Sequence, residues 1–223
     1  MTPERARCLE ALARMVLRVQ RPHPVRVAID GPDAAGKTIL ADELAPLIER
    51  SGRPVIRASI DGFHRPRSQR FARGPESSQG YFHDSFDYPA LRAALLDPLG
   101  PRGSLEFRRQ IFDYRTDKPV AAPTESAPAN AVLIFDGVFL LRRELIDLWD
   151  FSIFVAVPFA ETQRRAVARD AALLGGEEEV GHRYAARYVP GQQLYFGQAH
   201  PQDKADAIVD NEDPDRPVLR AGA

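Results

Sequence analysis

The 223-residue sequence has a single cysteine, Cys8. No disulfide can form within the chain, and a multi-cysteine zinc or iron–sulfur site is excluded; a reducing compartment suits such a composition. Neither sign of charge is in surplus. Thirty Lys and Arg stand against 31 Asp and Glu, which argues against a general nucleic-acid binder, since those carry a basic excess. Long apolar runs are missing too: Ala131 to Phe135 is uninterrupted, and Asp136 then stops it, far short of the ~20 residues a membrane span requires. The first residues show no apolar signal-peptide core. They carry Glu4 and Glu10 among arginines and little serine, unlike a transit peptide. A cytoplasmic protein with no membrane partner is expected. The five histidines show no metal-ligand spacing, and no repeat of fixed period is visible.

What is present is an ordinary globular composition, 44% apolar and 27% charged. A chain of this length buries roughly 70% of its unfolded surface and needs no covalent staple. Pro3 to Val19 reads as a helix, with Leu9, Leu12, Val16 and Val19 on one face. Short apolar strands follow at Val25–Asp30, Pro54–Ile60, Ala131–Asp136, Phe151–Val157 and Ala205–Asp210, with helices at Lys37–Ser51 and Ala160–Leu174. Continuous apolar strands separated by helices predict a parallel sheet covered on both faces. Right-handed crossovers then put all strand C-terminal ends on one edge, where ligands bind. Asp30, Asp61 and Asp136 fall on that edge. Arg65–Asp87 and the Pro/Ala-rich Pro119–Asn130 read as loops, the second without assigned chemistry.

The strongest signal is Gly31-Pro32-Asp33-Ala34-Ala35-Gly36-Lys37-Thr38, followed by Ile39. It matches G-x-x-x-x-G-K-[ST] between a strand and a helix. In such a loop the backbone N–H groups turn inward around phosphate, helped by the positive helix N-terminus. Lys37 is then placed for the outer phosphates and the Thr38 hydroxyl for Mg²⁺. No N-K-x-D guanine signature accompanies it, which leaves a small GTPase out. A small-molecule kinase needs a base, a second magnesium carboxylate and arginines over the transferred group. Asp61, in Ser59-Ile60-Asp61-Gly62-Phe63-His64-Arg65, is the candidate base, although an aspartate before glycine also caps turns. Asp136 is the candidate magnesium carboxylate, and Arg165 and Arg169 share a helix face. Gly175-Gly176 followed by three glutamates would hinge a lid. Arg65, Arg67, Arg70 and Arg73 form a run without acids, either a solvated loop or a clamp on an anionic acceptor. His64 suits a substrate contact or a plain surface position.

The phosphate loop, the Asp61-Gly62-Phe63-His64 segment, Phe86-Asp87-Tyr88-Pro89 and the strand ending in Asp136-Gly137 together resemble the uridine kinase/phosphoribulokinase group of P-loop kinases, from about Val25 to Asn211. The resemblance implies a P-loop NTPase α/β fold over residues 1–223: a five-stranded parallel sheet flanked by helices, an N-terminal helix within 1–21 and a small lid at about 170–190. It implies ATP and Mg²⁺, phosphorylation of a hydroxyl on a small molecule, catalytic Asp61, Lys37, Arg165 and Arg169, and metal-binding Thr38 and Asp136. It also implies an acceptor site made by Asp61, His64, Arg65, Asp87, Phe112 and Tyr114. The pyrimidine-reading Tyr and His of uridine kinases are replaced by Phe112 and Asp117, and His64-Arg65 is closer to phosphoribulokinase. A nucleoside such as uridine or cytidine is the first acceptor implied. The alternatives are a phosphorylated sugar or carboxylate-bearing metabolite, as in phosphoribulokinase-like or pantothenate kinase-like enzymes, or a P-loop ATPase or regulatory module without a small acceptor. Partners are small molecules, and the oligomeric state, homo-oligomer included, stays open.

Overall fold

The structure, a computed structural model, describes residues 1–174 and 176–222. Its centre is a six-stranded sheet. In chain order the strands are β1 (Val25–Asp30), β2 (Val55–Ser59), β3 (Val132–Asp136), β4 (Phe151–Ala156), β5 (Ala207–Asp210) and β6 (Val218–Ala221). Across the sheet they run β6-β5-β4-β1-β3-β2. The first five are parallel, as the sequence predicts, and the strand bounds agree to within two residues. The sixth was not anticipated: β6 returns antiparallel along β5, Val218 opposite Asp210. Its residues are mostly exposed, so it carries little of the apolar signature by which buried strands are recognised.

Every residue of β1 and β3 is buried, as expected for strands covered on both faces. Alternate residues feed two cores. Val25, Val27 and Ile29 join Ile134 and Val155 beneath α1 (Pro3–Arg18) and α2 (Lys37–Glu49). Ala28, Leu133, Phe135 and Phe154 face the other way, onto Phe63, Phe82, Phe139 and Tyr195. α1 docks by the predicted face, with Leu9, Leu12 and Val16 buried.

The Arg65–Asp87 stretch is less irregular than its sequence suggests. It holds a short turn of helix at Arg67–Arg70 and α3 (Ser78–Asp84), whose first turn is capped by Ser77 accepting the Gly80 N–H at 3.0 Å. Two of the four arginines in the basic run there are paired: Arg70 to Asp117 at 3.2 Å and Arg73 to Asp84 at 2.7 Å.

α4 (Phe159–Leu174) is followed by α5 (Glu177–Arg183), a π-helical turn at Tyr184–Tyr188 and α6 (Val189–Ala199). These occupy the expected lid region. Gly175, the first glycine of the supposed hinge, lies outside the described residues; Gly176 has φ +108° at the head of α5, a left-handed conformation that suits glycine. Among the described residues no helix is long and apolar enough to cross a membrane.

Candidate active site

β1 ends on Asp30 and the chain turns at once. Gly31 takes φ +151°, and a Cβ there would sit 2.5 Å from the Val155 carbonyl oxygen of β4, so only glycine lets the loop pass the neighbouring strand. Ala34 and Gly36 also take positive φ, +58° and +91°, and α2 opens at Lys37. The loop is braced from behind by Asn211, whose Nδ2 donates to the Ala35 carbonyl at 2.8 Å and whose Oδ1 accepts from Arg5 of α1 at 3.4 Å. Asp30 is fully buried. It accepts the Gly31 N–H at 2.8 Å and the Tyr195 hydroxyl. Desolvation nonetheless outweighs these bonds and pushes its carboxyl up to about 6.

Lys37 is buried with its ammonium on the Pro32 carbonyl at 2.6 Å. Burial lowers its pKa, opposed by Asp33, Asp30, Asp136 and Asp61 around it. Beside it the Thr38 hydroxyl donates to Asp136 Oδ2 at 2.7 Å, while Arg57 Nη2 reaches Asp136 Oδ1 at 3.0 Å. A hydroxyl and a buried carboxylate side by side make the hard-oxygen donor set that suits Mg²⁺. The glycine-turned loop ending in a buried lysine suits an oligophosphate. The residues present therefore fit both groups. Ile39, by contrast, is 61% exposed.

Asp61 lies in a 3₁₀ turn, Ile60–Phe63, after β2, with Ser59 Oγ accepting its N–H at 3.4 Å. The side chain reaches solvent through an open cleft. The carboxyl is nonetheless pushed up to about 6, chiefly by desolvation from the surrounding walls, then by Asp33 and Asp136, with Lys37 and Arg169 opposing. The cleft beside it measures about 640 Å³. Its walls include Asp61, Phe112 and Tyr114, and also Arg57, Arg109, Arg115 and Glu125, which the sequence reading passed over. Glu125 corrects the reading of Pro119–Asn130 as a plain connection: Glu125–Ser126 pairs with Glu106–Phe107 as a small hairpin, and Arg109 binds both Glu125 oxygens at 2.8 Å. Gly62 makes the flap possible. A Cβ there would lie 2.7 Å from Gln110 Cβ, and the Gly62 carbonyl accepts the Ile111 N–H at 2.9 Å.

His64 stacks between Phe86 and Tyr114, centroids 4.5 and 4.8 Å away. Burial depresses it to about 4, so at pH 7 it is neutral. The Arg65 N–H donates to the Ser85 carbonyl at 2.9 Å. Asp87 caps the short helix Tyr88–Leu91 through Oδ1, which accepts the Ala90 N–H at 3.0 Å, and its own N–H donates to the Phe63 carbonyl at 2.8 Å. It thus sits one strand bridge from His64 and outside the cleft lining. Asp117 is held by the Arg67 N–H at 2.8 Å and by Arg70.

Arg165 and Arg169, the two candidate arginines of α4, separate. Arg165 is fixed by Glu161 at 2.8 Å and by the Asn211 and Glu212 carbonyls at 3.0 and 2.8 Å. Arg169 pairs with Asp170 through two bonds of 2.7 Å and lies 3.8 Å from Asp33 in the phosphate loop. The Asp170 bonds hold its pKa above the ordinary arginine value. Of these two, Arg169 is the one that lies beside the Gly31–Thr38 loop.

No family model matches the chain. Uridine-cytidine kinase B of Dictyostelium discoideum is 28% identical over 155 residues, covering 69% of this chain. The match spans 61% of that kinase's own length. A protein from Bacillus stearothermophilus described as a possible uridine kinase superimposes with TM-score 0.72 at 20% identity, over 91% of this chain and 97% of that one. A Silicibacter protein, provisionally described as a fructose transport system kinase, superimposes with TM-score 0.72 at 26% identity, over 86% and 95%.

Proposed function

We propose that this chain, a uridine kinase-like P-loop kinase by fold and sequence likeness, transfers the γ-phosphoryl group of ATP to a hydroxyl of a small metabolite, as a cytoplasmic enzyme. The observation that carries the reading is the placement of Asp61. It stands between the phosphate loop, whose Lys37 it feels electrostatically, and an open cleft large enough for a metabolite. A carboxylate there can take the proton of an acceptor hydroxyl as that oxygen attacks phosphorus. Lys37 and the loop N–H groups would hold the outer phosphates. Thr38 and Asp136 would hold Mg²⁺, which when bound neutralises phosphate charge. Arg169, 3.8 Å from Asp33, would meet charge on the transferred group. Arg165 supports the Asn211–Glu212 turn behind the loop.

The first acceptor class to test is a nucleoside such as uridine or cytidine, supported by the curated kinase's likeness and by Asp87 in its Phe-Asp-Tyr-Pro setting. A second reading has its own support. Arg57, Arg109 and Arg115 line the cleft, and Asp117 is occupied by Arg67 and Arg70, which favours a sugar phosphate or hydroxy acid over a base. The test is ADP formation from ATP and Mg²⁺ with uridine, cytidine, sugar monophosphates and small hydroxy acids. At least one acceptor should accelerate ADP release over water alone and appear phosphorylated by mass. If none does, the chain is an ATPase or regulatory module.

A further inference from the structure

Asp33 is the third residue of the phosphate loop, whose unusual backbone angles belong to Gly31, Ala34 and Gly36. A carboxylate in a site built for anions repels its ligand, so its presence calls for a physical reason. Its contacts give one. Oδ2 accepts the hydroxyl of Tyr184, and the Asp33 N–H donates to Gln192 Oε1 at 2.7 Å. Oδ1 accepts the Ala34 N–H at 2.9 Å and lies 3.8 Å from Arg169. Arg169 belongs to α4, Tyr184 to the π-helical turn and Gln192 to α6, all between residues 159 and 199. Tyr184 and Gln192 are almost completely buried, and Tyr184 packs with Ala166 and Val180 in a small core of that segment.

Spacing explains how one loop residue reaches both. Eight residues of regular α-helix advance by about 80° beyond two full turns, which would aim Tyr184 and Gln192 at different neighbours. The π-helical turn Tyr184–Tyr188 winds more slowly per residue and takes up part of that offset.

We propose that Asp33 is a positioning residue: it docks the 159–199 segment onto the phosphate loop and thereby aims Arg169 at the transferred phosphoryl group. What Arg169 acts on rests on the kinase reading; the docking itself does not.

The experiment is a double-mutant cycle of Asp33→Ala and Tyr184→Phe, with Asp33→Asn as the conservative variant. Amide hydrogen exchange over residues 180–192 is read without ligand, ATP binding by calorimetry, and kcat and KM with the best acceptor. Tyr184→Phe keeps the packed ring. Each single variant should speed exchange by about tenfold, the equivalent of one buried hydrogen bond, and the double variant should be no faster than the worse single. Tyr184→Phe should lower kcat by about tenfold, from the same bond, with ATP affinity held within about twofold. Asp33→Asn, which keeps an oxygen for the Tyr184 hydroxyl, should restore most of the exchange protection, while Asp33→Ala should bind ATP at least as tightly as the parent. Unchanged exchange in both singles, or effects that simply add, would overturn the docking role. If no acceptor is phosphorylated, the exchange cycle still decides the docking, and the kinase reading alone fails.

Discussion

The side of the site proposed for phosphate comes from eight consecutive residues, Gly31–Thr38, whereas the cleft proposed for the acceptor draws its walls from three stretches, 57–62, 109–115 and 122–125. The first is dictated locally: a strand end, glycine turns and a helix start bring N–H groups, lysine and hydroxyl together wherever they occur. The second exists because β2 pairs with β3 and because a hairpin folds back over Gly62. Local assembly tolerates wide divergence of acceptor. Assembly from distant segments lets small changes in a flap recast the pocket, and here the flap introduces an Arg109–Glu125 pair. The two sides meet at Asp61, which is where the contrast is tested most severely.

Asp61→Asn should cut turnover by roughly 10²–10⁴-fold, the usual worth of a positioned base, while calorimetry finds ATP·Mg²⁺ binding unchanged. Asparagine caps a turn about as well as aspartate, so near-normal turnover would assign Asp61 to the turn and leave the two sides without a chemical link. Lys37→Ala should lower turnover by about 10²–10³-fold, comparable to losing one preorganised charge donor, with an unaltered thermal melt. An intact rate would remove the phosphate side from the mechanism.

The acceptor side is probed by smaller effects. Arg109→Ala frees Glu125 and one cleft wall. It should raise acceptor KM by about tenfold, the scale of a hydrogen bond to a charged group, and leave KM for ATP alone; a parallel rise in both would mean that the two sides are not separable. The pH profile sharpens the meeting point. A base must be unprotonated, and the Asp61 carboxyl is pushed up to about 6 by desolvation and by Asp33 and Asp136. The acid limb of kcat/KM should therefore bend near pH 6 and fall about tenfold per unit below it, since this quantity reports the free enzyme. The part of the limb owed to Asp61 should vanish in Asp61→Asn, leaving only what Asp30, buried at the root of the loop and also pushed up to about 6, contributes. His64, depressed to about 4 by burial, contributes nothing in that window.

How much of this was legible in the chain follows from contiguity. β1, β3 and β4 announce themselves as apolar runs because both of their faces are buried, whereas β2 and β5 bury alternate residues and show a weaker signal. The Gly31–Thr38 loop announces itself because each residue type there has its own local duty. Asp61 and Asp136 could be read from their positions at strand ends. Arg57, Arg109 and Glu125 could not: charged residues on a strand and in a Pro/Ala-rich connection look like solvated surface until the pairing partners are known. Arg165 and Arg169 show the same limit. Four residues apart on one helix, they are equivalent in sequence, and only the fold sets one on the Asn211–Glu212 carbonyls and the other beside Asp33.

The sequence by itself determined the order of strands and helices, the phosphate loop, and the acids at the ends of β1 and β3 and just beyond β2. These depend on hydrophobic period, on backbone angles only glycine adopts readily, and on the one edge that right-handed crossovers leave for ligands. Tertiary structure alone decided which arginine lies beside the Gly31–Thr38 loop, that Glu125 reaches the cleft, that Asp33 meets Tyr184 and Gln192, and that β6 closes the sheet edge. Most of those contacts join residues far apart in the chain, and β6 returns to β5 through a connection of seven residues that carries no apolar signal. The free energy of such a contact comes from desolvation and pairing in a common interior, and neither residue carries a local sign of it.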